Sequence, residues 1–140
     1  MFMNFKSPLK AVLILIMLFL AACAGKKEVA HEREDESVWK ELDDFHTIMA
    51  ETFHPYKDSS DLEPVKIRAL ELMTAADRFA SATLPGKVDK EEVKSKLQQL
   101  KSEATSLAES VKDADDNEIA GHLTKLHDTF HEIQEAWYGE

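Results

Sequence analysis

The stretch DDNEIAGHLTKLHDTFHEIQEAW, residues 115–137, decides the fold of this chain. Asp115 and Glu118 have the spacing of a capping box, which predicts that a helix begins there. The apolar residues that follow recur at alternating steps of three and four, the period of one face of an α-helix. These are Ile119, Leu123, Leu126, Phe130, Ile133 and Trp137. The sequence therefore predicts a long amphipathic helix whose apolar face needs partners.

Three stretches upstream show the same spacing. Their stripes are Trp39, Leu42, His46, Met49 and Phe53, then Ala69, Leu72 or Met73, Ala76, Phe79 and Ala80, then Val93, Leu97, Leu100, Ala104, Leu107 and Val111. The first helix is expected to end near His54, because the residue before Pro55 is biased away from helical geometry. Four amphipathic helices with short connections pack most simply as a bundle. We therefore expect an all-α domain at residues 37–140, an antiparallel up-down-up-down four-helix bundle.

Composition narrows the classes of function. The 27 acidic residues exceed the 17 basic ones, for a formal net charge of −10. Proteins bind nucleic acids and anionic lipid surfaces through basic patches, so we do not expect this acidic chain to bind nucleic acid. The chain has one cysteine, Cys23, and hence no disulfide framework.

The N-terminus has the order of a secretory signal peptide. Lys6 and Lys10 precede an apolar run at residues 11–20, and small residues follow. The run is ten residues long, roughly half of the ~20 that a permanent membrane helix needs.

The small residues complete a recognisable motif, since Leu20-Ala21-Ala22-Cys23 resembles a bacterial lipobox. The resemblance implies a lipoprotein cleaved before Cys23, with removal of the signal peptide at residues 1–22. Diacylglycerol would be attached to the sulfur of Cys23, and a fatty acid such as palmitate to the new amino group. Several acyl chains anchor a protein firmly to a membrane, whereas a single chain gives only marginal binding. The alternative is an ordinary signal peptide with an incidental cysteine.

Cleavage would remove two lysines and no acid, changing the net charge from −10 to −12. Residues 23–36 are rich in charge and poor in apolar side chains, so we expect a flexible acidic tether. Ala24 replaces the aspartate that retains lipoproteins in the inner membrane of enteric bacteria. The expected location is the cell envelope, lipid-anchored in the outer membrane and facing the periplasm.

Histidines form the candidate site. His127 and His131 are four residues apart on the fourth helix, and Asp43 and His46 are three apart on the first, so each pair shares a helical face. An antiparallel register that sets His46 level with His127, and Leu42 level with His131, would bring all four side chains together. Imidazole and carboxylate suit zinc, copper, nickel or iron.

Weaker candidate ligands are Met49, a soft donor for copper, with His54 and His122. The alternative for each histidine is an ordinary structural role, hydrogen-bonded to a neighbouring helix.

Two short segments resemble the cytochrome c′ and periplasmic b-type cytochrome superfamily of four-helix bundles. Residues 123–130, LTKLHDTF, have the layout of its Cys-x-x-Cys-His segment, with Leu123 and Leu126 at the cysteine positions. Residues 42–46, LDDFH, resemble the segment that supplies a methionine ligand, with His46 in its place. Without those cysteines, covalent haem attachment is excluded. The resemblance implies non-covalent b-type haem held by two histidines, a bare metal ion, or a bundle that has lost its cofactor.

Two functions of different classes remain open. One is a binder of a transition-metal ion or haem, serving metal handling, sensing or electron transfer. The other is a non-catalytic interaction module for another envelope protein, without a cofactor. No catalytic motif is present, because the glycines form no phosphate loop and the His-x-x-x-His spacing lacks the glutamate of zinc proteases. We therefore do not expect an enzyme.

Overall fold

The computed structural model describes residues 37–139, and within that range it contains four α-helices and no β-strand. We number them α1, Lys40–Ser59; α2, Glu63–Ser81; α3, Glu91–Ser110; and α4, Asp116–Tyr138. A single 3-10 turn, Gly86–Val88, lies between α2 and α3. The predicted signal peptide, lipidation site and tether lie outside the described residues. None of the four helices has the length and apolar content needed to span a bilayer.

The apolar face predicted for α4 is confirmed. All six of its stripe residues are buried, with exposed fractions between 0% and 3%. The side chain of Asp115 accepts hydrogen bonds from the backbone N–H groups of Asn117 and Glu118, at 2.9 and 3.0 Å. These bonds satisfy two of the donors that a helix start leaves unpaired. Helix α4 thus begins where its capping residue places it.

The predicted end of α1 is wrong, because the helix continues through Pro55 to Ser59. Ser60 adopts a left-handed conformation with φ 58°, and its N–H bonds to Tyr56 O at 2.8 Å. The N–H of Asp61 reaches Pro55 O at 3.2 Å. The four-residue bond from the left-handed Ser60 is the αL type of helix termination, which satisfies a carbonyl of the last turn. His54 and Lys57 consequently both lie on the helix.

The predicted burial of His46 is also wrong. Phe45 is fully buried where His46 was expected, and His46 is exposed. Phe45 packs between Phe79 and Phe130, with ring centroids 6.0 and 5.2 Å away. Burying an apolar ring is favourable in proportion to its area, whereas burying an unpaired imidazole is costly. The rotation of α1 that buries Phe45 therefore leaves His46 at the edge of the core.

Each helix packs against its neighbours along the chain, and α1 also packs against α4. The backbones of α1 and α4 approach each other closely at fewer positions than those of the other three packed pairs, so we call this seam the wide seam. At one end of this seam, the rings of Trp39 and Trp137 are 5.5 Å apart. Further along, Phe45 meets Phe130 and Phe53 meets His127. The candidate site lies in this seam.

Candidate metal site

A groove of about 240 Å³ lies in the seam between α1 and α4. We call it the histidine groove, because four of the six histidines of the chain line it. Its nine lining residues are His46, Met49, Ala50, Phe53, His54, Lys57, His127, Phe130 and His131. None of them is acidic, although the chain has 27 acidic residues. The groove is therefore a local region of neutral and basic side chains on an acidic protein.

His127 and His131 form a close pair in the groove. Their four-residue spacing places them on one face of α4, where the two Nε2 atoms are 3.0 Å apart. One nitrogen must donate a hydrogen to the other, so at least one ring exposes an unprotonated Nε2 toward its neighbour. The ring of His127 also stacks on Phe53, with centroids 3.6 Å apart and planes 10° from parallel. This stacking holds His127 in one orientation.

The environment of His127 favours its neutral form. Burial of the ring lowers the pKa of His127 below the usual value, and charge on His131 and on Lys57 acts in the same direction. Asp128 opposes this shift, with its Oδ1 atom 3.6 Å from Nδ1 of His127. That separation exceeds hydrogen-bond length, and Nδ1 is buried without a partner. A neutral imidazole is the form that binds metal ions.

The remaining histidines are placed differently from the expected register. His46 stacks on Phe130, with ring centroids 5.5 Å apart, one helical turn beyond His127. His46 and His127 therefore line the same groove without lying level with each other. His54 also lines the groove, since α1 continues through Pro55.

Two candidate ligands lie outside the groove. Asp43 is exposed and does not line it, because the rotation that buries Phe45 carries Asp43 toward solvent. His122 lines a separate cavity of about 390 Å³ and lies 3.9 Å from Glu118. Within residues 37–139, no three side chains of the His, Cys, Asp and Glu types cluster closely enough to hold a metal ion. The described part of the chain thus offers one close pair of imidazoles, with further donors along the groove.

Met49 is the one predicted ligand that is buried, with 1% of its surface exposed, and it forms part of the groove wall. Sequence reasoning missed the contributions of Phe53 and Lys57 to the groove. Phe53 was recognisable as a core residue, but its stacking on His127 depends on the register of two helices. Lys57 follows Phe53 by four residues, a spacing that places both on one face once the helix passes Pro55.

A haem does not fit the seam. The rings of Trp39, Phe79, Phe130 and Trp137 fill the interior, each at most 3% exposed. Trp39 contacts both Phe79 and Trp137, at 5.0 and 5.5 Å between centroids. The groove that remains, about 240 Å³, is below the ~300 Å³ at which pockets for small organic ligands begin. An ion fits this space and a porphyrin does not.

Comparison with protein-family models, with curated proteins and with solved structures found no match to this chain.

Proposed function

We propose that this protein is a membrane-anchored envelope lipoprotein that binds a transition-metal ion in the histidine groove, serving metal handling, sensing or electron transfer. The observation that carries this proposal is the pair of Nε2 atoms, of His127 and His131, 3.0 Å apart in a groove with two more histidines. Imidazole nitrogen is a ligand for copper, zinc, nickel and iron.

The geometry of the pair supports an ion bound by both rings. Two nitrogens 3.0 Å apart, each about 2.0–2.1 Å from one ion, subtend an angle of roughly 91–97° at that ion. This angle suits neighbouring ligands of a tetragonal Cu(II) or Ni(II) ion. His46 and His54 line the same groove as the pair, so they are further imidazole donors beside the proposed ion.

The test is metal content after dialysis of the full lipoprotein in detergent. We expect the wild type to retain an ion stoichiometrically, and His127→Gln and His131→Gln each to lose it while circular dichroism shows unchanged helicity. His122→Gln is the matched control, because it removes a histidine of the same helix outside the groove. A wild type without stoichiometric metal, or an equal loss in the control, would contradict the proposal.

We further propose that the bundle is antiparallel, up-down-up-down. Trp39, just before α1, contacts Trp137 near the end of α4. Lys66, early in α2, pairs with Asp116 at the start of α4, at 2.6 Å. The first contact supports opposite directions for α1 and α4, and the second supports a common direction for α2 and α4. In this topology the histidine groove runs along two antiparallel neighbours.

The anchor is proposed from the lipobox alone. We expect wild-type protein to sediment with outer membranes and to incorporate a labelled palmitate, and Cys23→Ser to lose both properties. Ala24→Asp should keep the label and move to the inner membrane if the enteric sorting rule applies. Wild-type protein that is released without label would contradict lipidation.

A second candidate function is binding to an envelope protein. Ile67 and Leu70 on α2 are 71% and 61% exposed, and their three-residue spacing puts them on one face. Exposed apolar residues that adjoin one another are typical of interaction surfaces. Cross-linking in intact cells should then give a discrete adduct that the double substitution Ile67→Ser, Leu70→Ser removes. If the wild type and the double variant give the same cross-linked adducts, this face of α2 is not the binding surface.

A further inference from the structure

We propose that the ion of the histidine groove is copper, and that the thioether sulfur of Met49 is its ligand in the Cu(I) state. This inference rests on the proposed function, since it names the metal for the same groove. It adds a third protein ligand, from α1, to the imidazole pair of α4.

The donor atoms of the groove are the first reason. Apart from the ammonium of Lys57, its side chains offer imidazole nitrogen and one thioether sulfur, with no carboxylate. Carboxylate sites favour Mg²⁺, Ca²⁺ and Mn²⁺, whereas thioether ligands select Cu(I). The carboxylate of Asp128 lies 3.6 Å from Nδ1 of His127 but does not line the groove. The groove is thus enriched in the donors that copper prefers.

The position of Met49 is the second reason. It follows His46 by three residues and precedes Phe53 by four, so it lies on the face of α1 that borders the groove. Its side chain is 1% exposed and belongs to the apolar core that forms one wall of the groove. Met49, His127 and His131 thus line one groove from two helices, and they are the three donors of the proposed Cu(I) site.

The test compares two methionine variants for both oxidation states of copper. Met49→Leu keeps a similar volume in the core, and Met73→Leu is the matched control on α2, outside the groove. Cu(I) affinity is measured anaerobically by competition with bicinchoninate, and Cu(II) affinity by competition with nitrilotriacetate. We expect Met49→Leu to weaken Cu(I) binding by about tenfold or more, with Cu(II) binding unchanged. Met73→Leu should change neither.

X-ray absorption on the Cu(I) protein gives an independent signal, with a copper–sulfur shell in wild type and in Met73→Leu that is absent in Met49→Leu. If Met49→Leu leaves Cu(I) affinity and the sulfur shell unchanged, or if zinc binds more tightly than Cu(I), this inference is overturned. The proposed function would then still stand on a metal bound through the histidines. A wild type that binds neither copper state nor zinc nor nickel would overturn both.

Discussion

The two seams that α4 forms, with α3 and with α1, are built from different side chains. The α3–α4 seam is close, and its polar group is a buried carboxylate. Gln99 donates to Glu103 at 2.9 Å and to Thr129 at 3.2 Å, and Lys125 reaches Glu103 at 3.5 Å. In the wide α1–α4 seam, the rings of Phe130 and Phe53 stack on the imidazoles of His46 and His127. The space left in the wide seam is the histidine groove, of about 240 Å³.

The largest expected effect comes from emptying the wide seam. Phe130 is 1% exposed, contacts Phe45 and stacks on His46. Phe130→Ala should lower the free energy of unfolding by about 3–5 kcal/mol, because it leaves a cavity in a packed core. Urea denaturation measures this loss.

Leu100→Ala in α3 is the companion variant, since Leu100 is fully buried away from the histidine groove. It should cost about 2–5 kcal/mol. We expect Phe130→Ala to weaken metal binding as well, and Leu100→Ala to leave it intact while the protein is folded. Equal metal affinities in the two variants would show that metal binding does not depend specifically on packing in the α1–α4 seam.

The buried carboxylate of the close seam gives a smaller effect of opposite sign. Glu103 is 6% exposed, and its Oε2 atom has no hydrogen-bond partner. Glu103→Leu should raise the free energy of unfolding by about 1 kcal/mol, because apolar replacement of a buried charge removes its desolvation cost. Gln99 and Lys125 are exposed and can return to water. A loss of stability in urea denaturation would mean that the polar cluster is a net stabilising feature.

The histidine pair makes the stability of the metal-free protein depend on pH. Because the pKa of His127 is lowered on folding, the unfolded chain binds more protons below the ordinary histidine pKa of about 6.5. The stability due to neutral His127 is present above that pH and is lost as the pH falls toward the folded value.

Urea denaturation between pH 7.5 and 5 with a chelator present should show a shallower dependence for His127→Gln and for His131→Gln than for wild type. The His131 variant acts by removing the second cause of the shift. His122→Gln should show the wild-type dependence of stability on pH. A shallower dependence in that control would mean that the effect does not come from the His127–His131 pair.

The smallest effect is expected at the rim of the close seam, where Lys96 pairs with Glu132. Both side chains are in contact with solvent, at 35% and 52% exposure. Exposed ion pairs contribute little and are screened by salt. Lys96→Ala should shift the urea midpoint less than any variant above. At high salt, the midpoints of Lys96→Ala and of the wild type should be the same.

The predictions from sequence succeeded where the apolar period was unbroken. The apolar residues of α4 follow one helical face without interruption, and every one of them is buried. In α1 the period allowed either Phe45 or His46 at the same core position, and only packing against Phe79 and Phe130 settled it. The residue before Pro55 was predicted to end the first helix, yet the helix continues to Ser59 and ends at the left-handed Ser60.

The amino-acid sequence by itself determined four amphipathic helices and the pairing of His127 with His131, because helical period and four-residue spacing are local properties of the chain. Only the tertiary structure decided that His46 and His54 share a groove with that pair, while Asp43 does not. That outcome depends on how far α1 rotates and slides against α4. The rotation and the register follow from how large rings fill a common core, which no single helix specifies.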